Sequence, residues 1–413
     1  MAKAKTSAVR PVLLGAYVAK QCARRVHNDW DATIPKGPWT PAPELQARLD
    51  AGIAYEEEVL AALIDTLGER CVDLRGADEF GTRMERTVAE MTAGRELIIG
   101  GVLPDDRAGA RSGRPDLLLR VSHPGEPPTY VPGDVKGHRM VKAAKKGLLD
   151  YSTIEAPVVL EQAAGLAVRA GDRFSDYLQL AHYTRMLQAC GFAPASGRRR
   201  GFIIGTDDLT DLGVTGYVFT WLDLDDPLFA TFSRSQGTAV RSALERYDHE
   251  HGFRVRVAQR ALERTGAAGD PMPLVVPVFV DECDLCPWLD VCLEELGPDA
   301  ASVAITQGRL DVREWLALAA RGIDTTEDLA AVDVDDEAFW ADYLPEVAHQ
   351  SKARDRLSTA VRRARMVLAG EVLQRTTSGP IVVPAADVEV DFDIEWDSAN
   401  RVYLWGALVT DDE

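Results

Sequence analysis

The chain has 413 residues, of which 46% are hydrophobic and 27% charged, and a formal net charge of −19. This composition suits a globular protein of two or three domains, and no run of about eighteen apolar residues offers a transmembrane helix or a membrane partner. The acidity argues against tight non-specific nucleic-acid binding through bulk charge, but it is uneven: from Leu293 onward there are 25 acidic and 11 basic residues, leaving −5 for the preceding part.

At the N-terminus, Lys3, Lys5 and Arg10 precede a brief apolar run that has no clear signal-peptide cleavage site. It is expected to be the first buried element of a cytoplasmic protein. Cys22 follows, beside Arg24 and Arg25. From Pro43 to Gly68, apolar residues at Leu45, Leu49, Ile53, Leu60, Leu63 and Leu67 recur every three or four positions, predicting a helix with one buried stripe. Glu56 interrupts that stripe, while Glu57 and Glu58 project from other sides. A carboxylate there either reaches water at the stripe's edge or is held for chemistry.

The stretch Arg114–Lys136 concentrates the chemistry. R-P-D-L-L-L-R-V predicts a short buried strand, and Y-V-P-G-D-V-K a second strand after a turn at Pro132-Gly133. Asp134 and Lys136, two apart on a strand, face the same way, and hairpin pairing brings Asp116 beside them. Buried charges are rare unless paired or metal-bound, and two close carboxylates suit Mg²⁺ or Mn²⁺. The lysine could orient water or offset phosphate charge. The bland alternative is a solvated Asp–Lys pair on an exposed hairpin. L-I-I-G-G-V-L, upstream, predicts another strand, and Cys71 is expected to be structural.

Downstream, Arg139, Lys142, Lys145 and Lys146 form a basic run next to the hairpin, a candidate backbone-binding patch, and Arg198, Arg199 and Arg200 form a second. Residues 176–190 predict a helix with Gln179 and Tyr183 on one face; His182 faces elsewhere. G-F-I-I-G-T-D and G-Y-V-F-T-W-L-D-L predict two more strands of the same sheet. Cys283, Cys286 and Cys292 then form C-x2-C-x5-C. Three thiols so close in a cytoplasmic protein point to metal rather than disulfides, with Cys22 as the natural fourth ligand and Cys190 as a substitute. Residues 303–375 carry helical periodicity, with a Gly turn and Thr/Asp start signals in A-R-G-I-D-T-T-E-D-L-A-A. The alternating final segment predicts a hairpin, with Asp393 and Glu395 on one face of a strand.

The order Cys22, G-I-A-Y-E ending at Glu56, Pro115-Asp116, Asp134-x-Lys136, Gln179-x-x-x-Tyr183 and the three-cysteine cluster resembles the RecB-like PD-(D/E)XK nucleases, including iron–sulfur members of AddB and CRISPR-associated type. The resemblance spans residues 10–295. It implies an α/β, restriction-endonuclease-like core, a central mixed sheet flanked by helices, over residues 1–296. A helical, helix–turn–helix-like domain over 297–378 and a terminal β-hairpin over 379–413 follow. Asp393-x-Glu395 resembles the opening motif of a DEDD-type, RNase H-like exonuclease domain, here expected to be truncated and inactive alone. The implied activity is phosphodiester hydrolysis on single-stranded DNA or DNA ends, in repair, recombination or mobile-element and CRISPR defence. The implied metal ligands are Glu56, Asp116, Asp134 and the carbonyl of Val135; Lys136 handles water, and Gln179 and Tyr183 position the strand. Cys22, Cys283, Cys286 and Cys292 would hold a 4Fe–4S cluster, with zinc as the rival. The absence of a GxxxxGK[ST] loop implies that unwinding needs a helicase or other repair or defence partner. A different class of protein, a catalytically inactive iron–sulfur nucleic-acid-binding or scaffold protein, fits the same residues.

Overall fold

The computed structural model describes residues 11–76, 80–233, 237–375, 377–382, 386–396 and 402–411; Lys3, Lys5 and Arg10 lie outside them. In chain order the elements begin with α1 (Ala23–Trp30), α2 (Pro43–Leu67), β1 (Cys71–Asp73), α3 (Phe80–Ala93), β2 (Leu97–Ile99), β3 (Leu103–Asp106), β4 (Arg111–Gly113) and β5 (Leu117–Arg120). Next come β6 (Tyr130–Val135), β7 (Val141–Thr153), β8 (Glu161–Val168), α4 (Phe174–Ala189), β9 (Arg200–Ile204), β10 (Val218–Asp223), β11 (Phe229–Ser233), β12 (Gly237–Arg241) and α5 (Ala243–Leu262). The C-terminal part holds α6 (Leu289–Leu296), α7 (Ala301–Ala304), α8 (Val312–Ala319), α9 (Thr326–Ala331), α10 (Glu337–Glu346), α11 (Ala353–Ala369), β13 (Val388–Trp396) and β14 (Val402–Asp411).

An eight-stranded mixed sheet in the order β1-β2-β5-β6-β9-β10-β7-β8 forms the centre. β1 pairs with β2, and β6 with β9, in parallel; the other neighbours are antiparallel. Helices cover both faces, which is why the central strands read as continuous apolar runs rather than as alternation. Leu117 and Leu119 pack with Val59, Leu60 and Leu63 of α2, whereas Leu118 packs on the other side with Met91 of α3 and Tyr183, Met186 and Leu187 of α4.

The sequence places a turn at Pro132-Gly133, but both residues lie inside β6, paired with Leu118 and Leu117. The chain stays extended because Gly133 is a packing position: a Cβ there would meet the ring of Phe202 at 2.0 Å, so only glycine lets β9 close onto β6. The expected stripe of α2 is also only half realised. Val59, Leu60, Leu63 and Leu67 are buried, but Leu49 and Ile53, in the first half of the helix, are exposed.

α7 to α11 share a separate apolar core around Trp315, Leu318, Leu329, Trp340, Tyr343 and Leu357. Thr325 caps α9 through the Asp328 amide, as its start signals predict, and Gly322 supplies the left-handed turn before it (φ 71°). β13 and β14 pair over their whole length, but Val390, Phe392, Trp405 and Val409 are all more than half exposed. No helix among the described residues is long and apolar enough to cross a membrane.

Candidate active site and thiol pocket

The alternation that divides Leu117 to Leu119 between two faces also orients the acidic residues. Val131 and Val135 of β6 pack on the α2 side and Tyr130 on the α4 side. Asp134 therefore points toward α4, where it is fully buried. Asp116 closes the turn into β5; its Oδ2 accepts the amide N–H of Val135 at 3.0 Å, and its own carbonyl accepts Gly100 N–H at 2.8 Å. Lys136, just beyond β6, is fixed by its backbone N–H to Ile204 O at 2.9 Å, and its ammonium pairs with Asp134 Oδ2. Even so, neither Asp134 oxygen receives a well-directed hydrogen bond.

The electrostatics follow from setting the wholly buried Asp134 beside the partly buried Asp116 and Glu56. Burial, then the charge of Asp134, push the Asp116 carboxyl well above the usual range, against the opposing pull of Lys136. Glu56, on α2, is raised by its own burial and by Asp134 and Glu57, so it stands close enough to sense the pair. Burial disfavours the charge on Lys136, but Asp134, Tyr17 and Asp116 outweigh it and hold the ammonium protonated.

α4 supplies the remaining wall. Tyr183 donates to Arg114 O at 3.0 Å, which fixes the turn leading to Asp116, and Gly113 permits this because a Cβ there would lie 2.8 Å from the Tyr183 ring. Gln179, also buried, accepts Lys20 Nζ at 3.1 Å. Lys20 ends a 3-10 turn, Val18–Lys20, and its ammonium sits 4.2 Å from the centre of the Tyr17 ring. Burial and the nearby Lys136 charge lower the Lys20 pKa to about 8. Beside it, His138 Nε2 lies 2.9 Å from Asp176 Oδ2. The sequence gives no periodic signal for Tyr17, Lys20, His138 or Asp176, because only tertiary folding brings the N-terminal turn to the sheet. His182, by contrast, is sequestered: its Nδ1 accepts Tyr247 Oη–H at 2.8 Å and its Nε2–H donates to Ser112 O at 3.0 Å.

The basic runs separate. Arg139, Lys142, Lys145 and Lys146 are exposed, three of them on the first half of β7. Arg198, Arg199 and Arg200 do not form a free patch, because Asp223 and Asp226, Asp225, and Asp150 respectively pair with them. The aspartates come from the β7 and β10 segments, whose pairing the arginine run alone could not reveal.

Cys22, Cys283, Cys286 and Cys292 line one small pocket with Arg24, Arg25 and Trp288. Cys22 precedes α1, and the other three span the 3-10 turn Asp281–Leu285 and α6. α1 is bound to this segment by Cys22 N–H to Glu282 Oε2 (2.8 Å), Arg24 to Val275 O (3.0 Å) and Trp288 Nε1–H to Asp29 (2.9 Å). The amides of Asn28 and Val280 donate to the sulfurs of Cys292 and Cys283 at 3.7 and 3.4 Å. Burial raises the Cys292 thiol to about 11, with Arg24 pulling against it and the other cysteines adding to it. Cys190, expected as a substitute ligand, is not among the residues lining this pocket; it packs beside Phe192 at the end of α4. Cys71 begins β1, its thiol 3.3 Å from Gly68 O. Among the described residues, no group of three or more His, Cys, Asp or Glu side chains is placed so that it could hold a metal ion.

No family model, curated protein or solved structure matches the chain.

Proposed function

We propose that the chain is a metal-dependent nuclease that hydrolyses phosphodiester bonds in DNA, on a restriction-endonuclease-like core of the PD-(D/E)XK kind. The observation that carries this reading is Asp134: wholly buried, without a directed hydrogen bond to either oxygen, and set between Asp116 and the Lys136 ammonium. Leaving so many charges buried is costly for a purely structural role. It suits a site completed by a cation.

Asp116, Asp134 and Glu56, with the carbonyl of Val135, would hold Mg²⁺ or Mn²⁺, which when bound supplies Lewis acidity to water and phosphate. Lys136 orients the attacking water and stabilises charge on the phosphate as it becomes five-coordinate. Gln179 and Tyr183 fix the wall along which the strand lies, and Arg139, Lys142, Lys145 and Lys146 attract its backbone. Cys22, Cys283, Cys286 and Cys292 would hold a 4Fe–4S cluster, or zinc in the same four-thiol site, with Arg24 and Arg25 offsetting the thiolate charge. The role of that group is to fasten the N-terminal turn to the end of the nuclease core.

The test is cleavage of end-labelled single-stranded and duplex DNA by anaerobically purified protein, with Mg²⁺ or Mn²⁺ and with EDTA, beside Lys136→Ala. Metal-dependent cleavage that is lost in the variant is the expected result. Intact DNA after incubation with folded, cluster-loaded protein would replace the nuclease reading with a binding or scaffold role.

A further inference from the structure

Lys20 is a half-buried cation with an unusual set of neighbours. Its ammonium hydrogen-bonds only to the side-chain oxygen of Gln179, at 3.1 Å, and forms no ion pair with a carboxylate among the described residues. The nearby Asp176 is already held by His138 at 2.9 Å. The Tyr17 ring lies between two ammoniums, 4.2 Å from Lys20 Nζ and 5.9 Å from Lys136 Nζ, and Tyr17 is 50% exposed. Two cations and a phenol thus converge beside the carboxylates, one cation paired with Asp134 and the other not.

We propose that Tyr17 and Lys20 form a phosphate-binding wall of this site, with the Lys20 ammonium on a non-bridging oxygen of a phosphate in the bound strand. The proposal deepens the nuclease reading and rests on it for the identity of the ligand as a nucleic-acid backbone. A phosphate there would be the direct ion-pair partner that Lys20 lacks among the described residues. The wall is set before the ligand arrives because its strap is anchored at both ends. Leu14 N–H donates to Ala110 O at 2.9 Å and Leu14 O accepts Ser112 N–H at 3.0 Å; at the other end, Cys22 N–H donates to Glu282. Gln179, locked on α4, fixes the ammonium between them.

The experiment is fluorescence anisotropy of a labelled single-stranded oligonucleotide against the full chain in Ca²⁺, over a series of NaCl concentrations, for wild type, Lys20→Gln and Lys20→Arg. Lys20→Gln is expected to weaken binding about tenfold, as loss of one charge-assisted contact does. It should also lower the slope of log affinity against log salt by about 0.7, the value for one phosphate contact on a single strand. Lys20→Arg is expected to keep most of both. Unchanged affinity in Lys20→Gln would overturn the proposal, as would weaker binding at an unchanged salt slope, which marks a merely structural lysine. Wild-type protein that binds no oligonucleotide would overturn it too. Salt-sensitive binding through Lys20 without cleavage in Mg²⁺ or Mn²⁺ would uphold this contact while refuting the nuclease reading.

Discussion

The Asp116 carboxylate accepts the Val135 amide at 3.0 Å, so the turn before β5 is bonded to the strand that carries Asp134. This one contact sets the two carboxylates beside each other and makes their repulsion part of the folded state. Asp116→Asn keeps the shape and an acceptor for Val135 while removing one of the two like charges. The expected outcome is a metal-free protein that melts at a higher temperature, by about 1–2 kcal/mol of added stability. It should lose the thermal shift that Mn²⁺ gives the wild type, and DNA cleavage with it. A wild-type Mn²⁺ response in Asp116→Asn, read by differential scanning fluorimetry, would remove Asp116 from the metal ligands.

Much of this site was legible because β-strand geometry is simple. Two residues apart on a strand means one face, and that rule put Asp134 with Lys136 without any three-dimensional information. Helical spacing did the same for Gln179 and Tyr183. The errors have equally definite causes. Pro132 and Gly133 carry turn chemistry locally, yet the Phe202 ring needs the space above Gly133, and packing overrode the local signal. Leu49 and Ile53 share the period of α2 but not its contact with the sheet, since periodicity records which face is apolar and not how far the neighbouring surface extends. Lys20 and His138 were invisible as site residues because their partners, Gln179 and Asp176, lie far along the chain.

The thiol pocket separates four cysteines from two. Cys22→Ser or Cys283→Ser is expected to lose the bound group, seen as loss of iron and sulfide, or of zinc, by elemental analysis and of any visible absorbance. Such a loss detaches α1 from the segment at Glu282, so the melting temperature should fall. Cys71→Ser and Cys190→Ser are expected to retain the full metal content. Equal metal content in all four variants would mean that the pocket binds none.

Acid should destabilise the fold through histidines held neutral. Burial lowers His182 to about 3 and His251 to about 4, with the neighbouring Arg111 charge acting the same way on both. Each therefore binds fewer protons in the folded than in the unfolded chain once pH drops below about 6.5, the ordinary value. Stability is complete above that pH and declines as pH falls toward the folded values. The expected loss is about 2 kcal/mol per histidine between pH 7 and pH 5. Urea unfolding at the two pH values measures it, and His182→Gln should flatten the dependence by about a third, because burial lowers His27 to about 4 as well. A stability that is level from pH 7 to pH 5 would show that these rings are not held neutral.

The two basic runs should behave differently toward nucleic acid, although composition makes them look alike. Lys142, Lys145 and Lys146 are exposed on β7, so their charge is available to a strand leaving the site. Arg199 instead binds Asp225 through both its amide N–H (2.9 Å) and its Nε (3.0 Å), and Arg198 and Arg200 are held by aspartates as well. A phosphate would have to displace these carboxylates, and the net field near them is close to neutral. Lys145→Gln with Lys146→Gln is therefore expected to reduce oligonucleotide affinity and lower the salt slope by up to about 1.4, two phosphate contacts on a single strand. Arg198→Ala is expected to change neither quantity. Arg199→Ala should leave the salt slope alone and cost stability, because it strips Asp225 of its guanidinium contacts and leaves only the backbone N–H. If the arginine variants lower the slope and the lysine variants do not, the strand runs toward β10 rather than along β7.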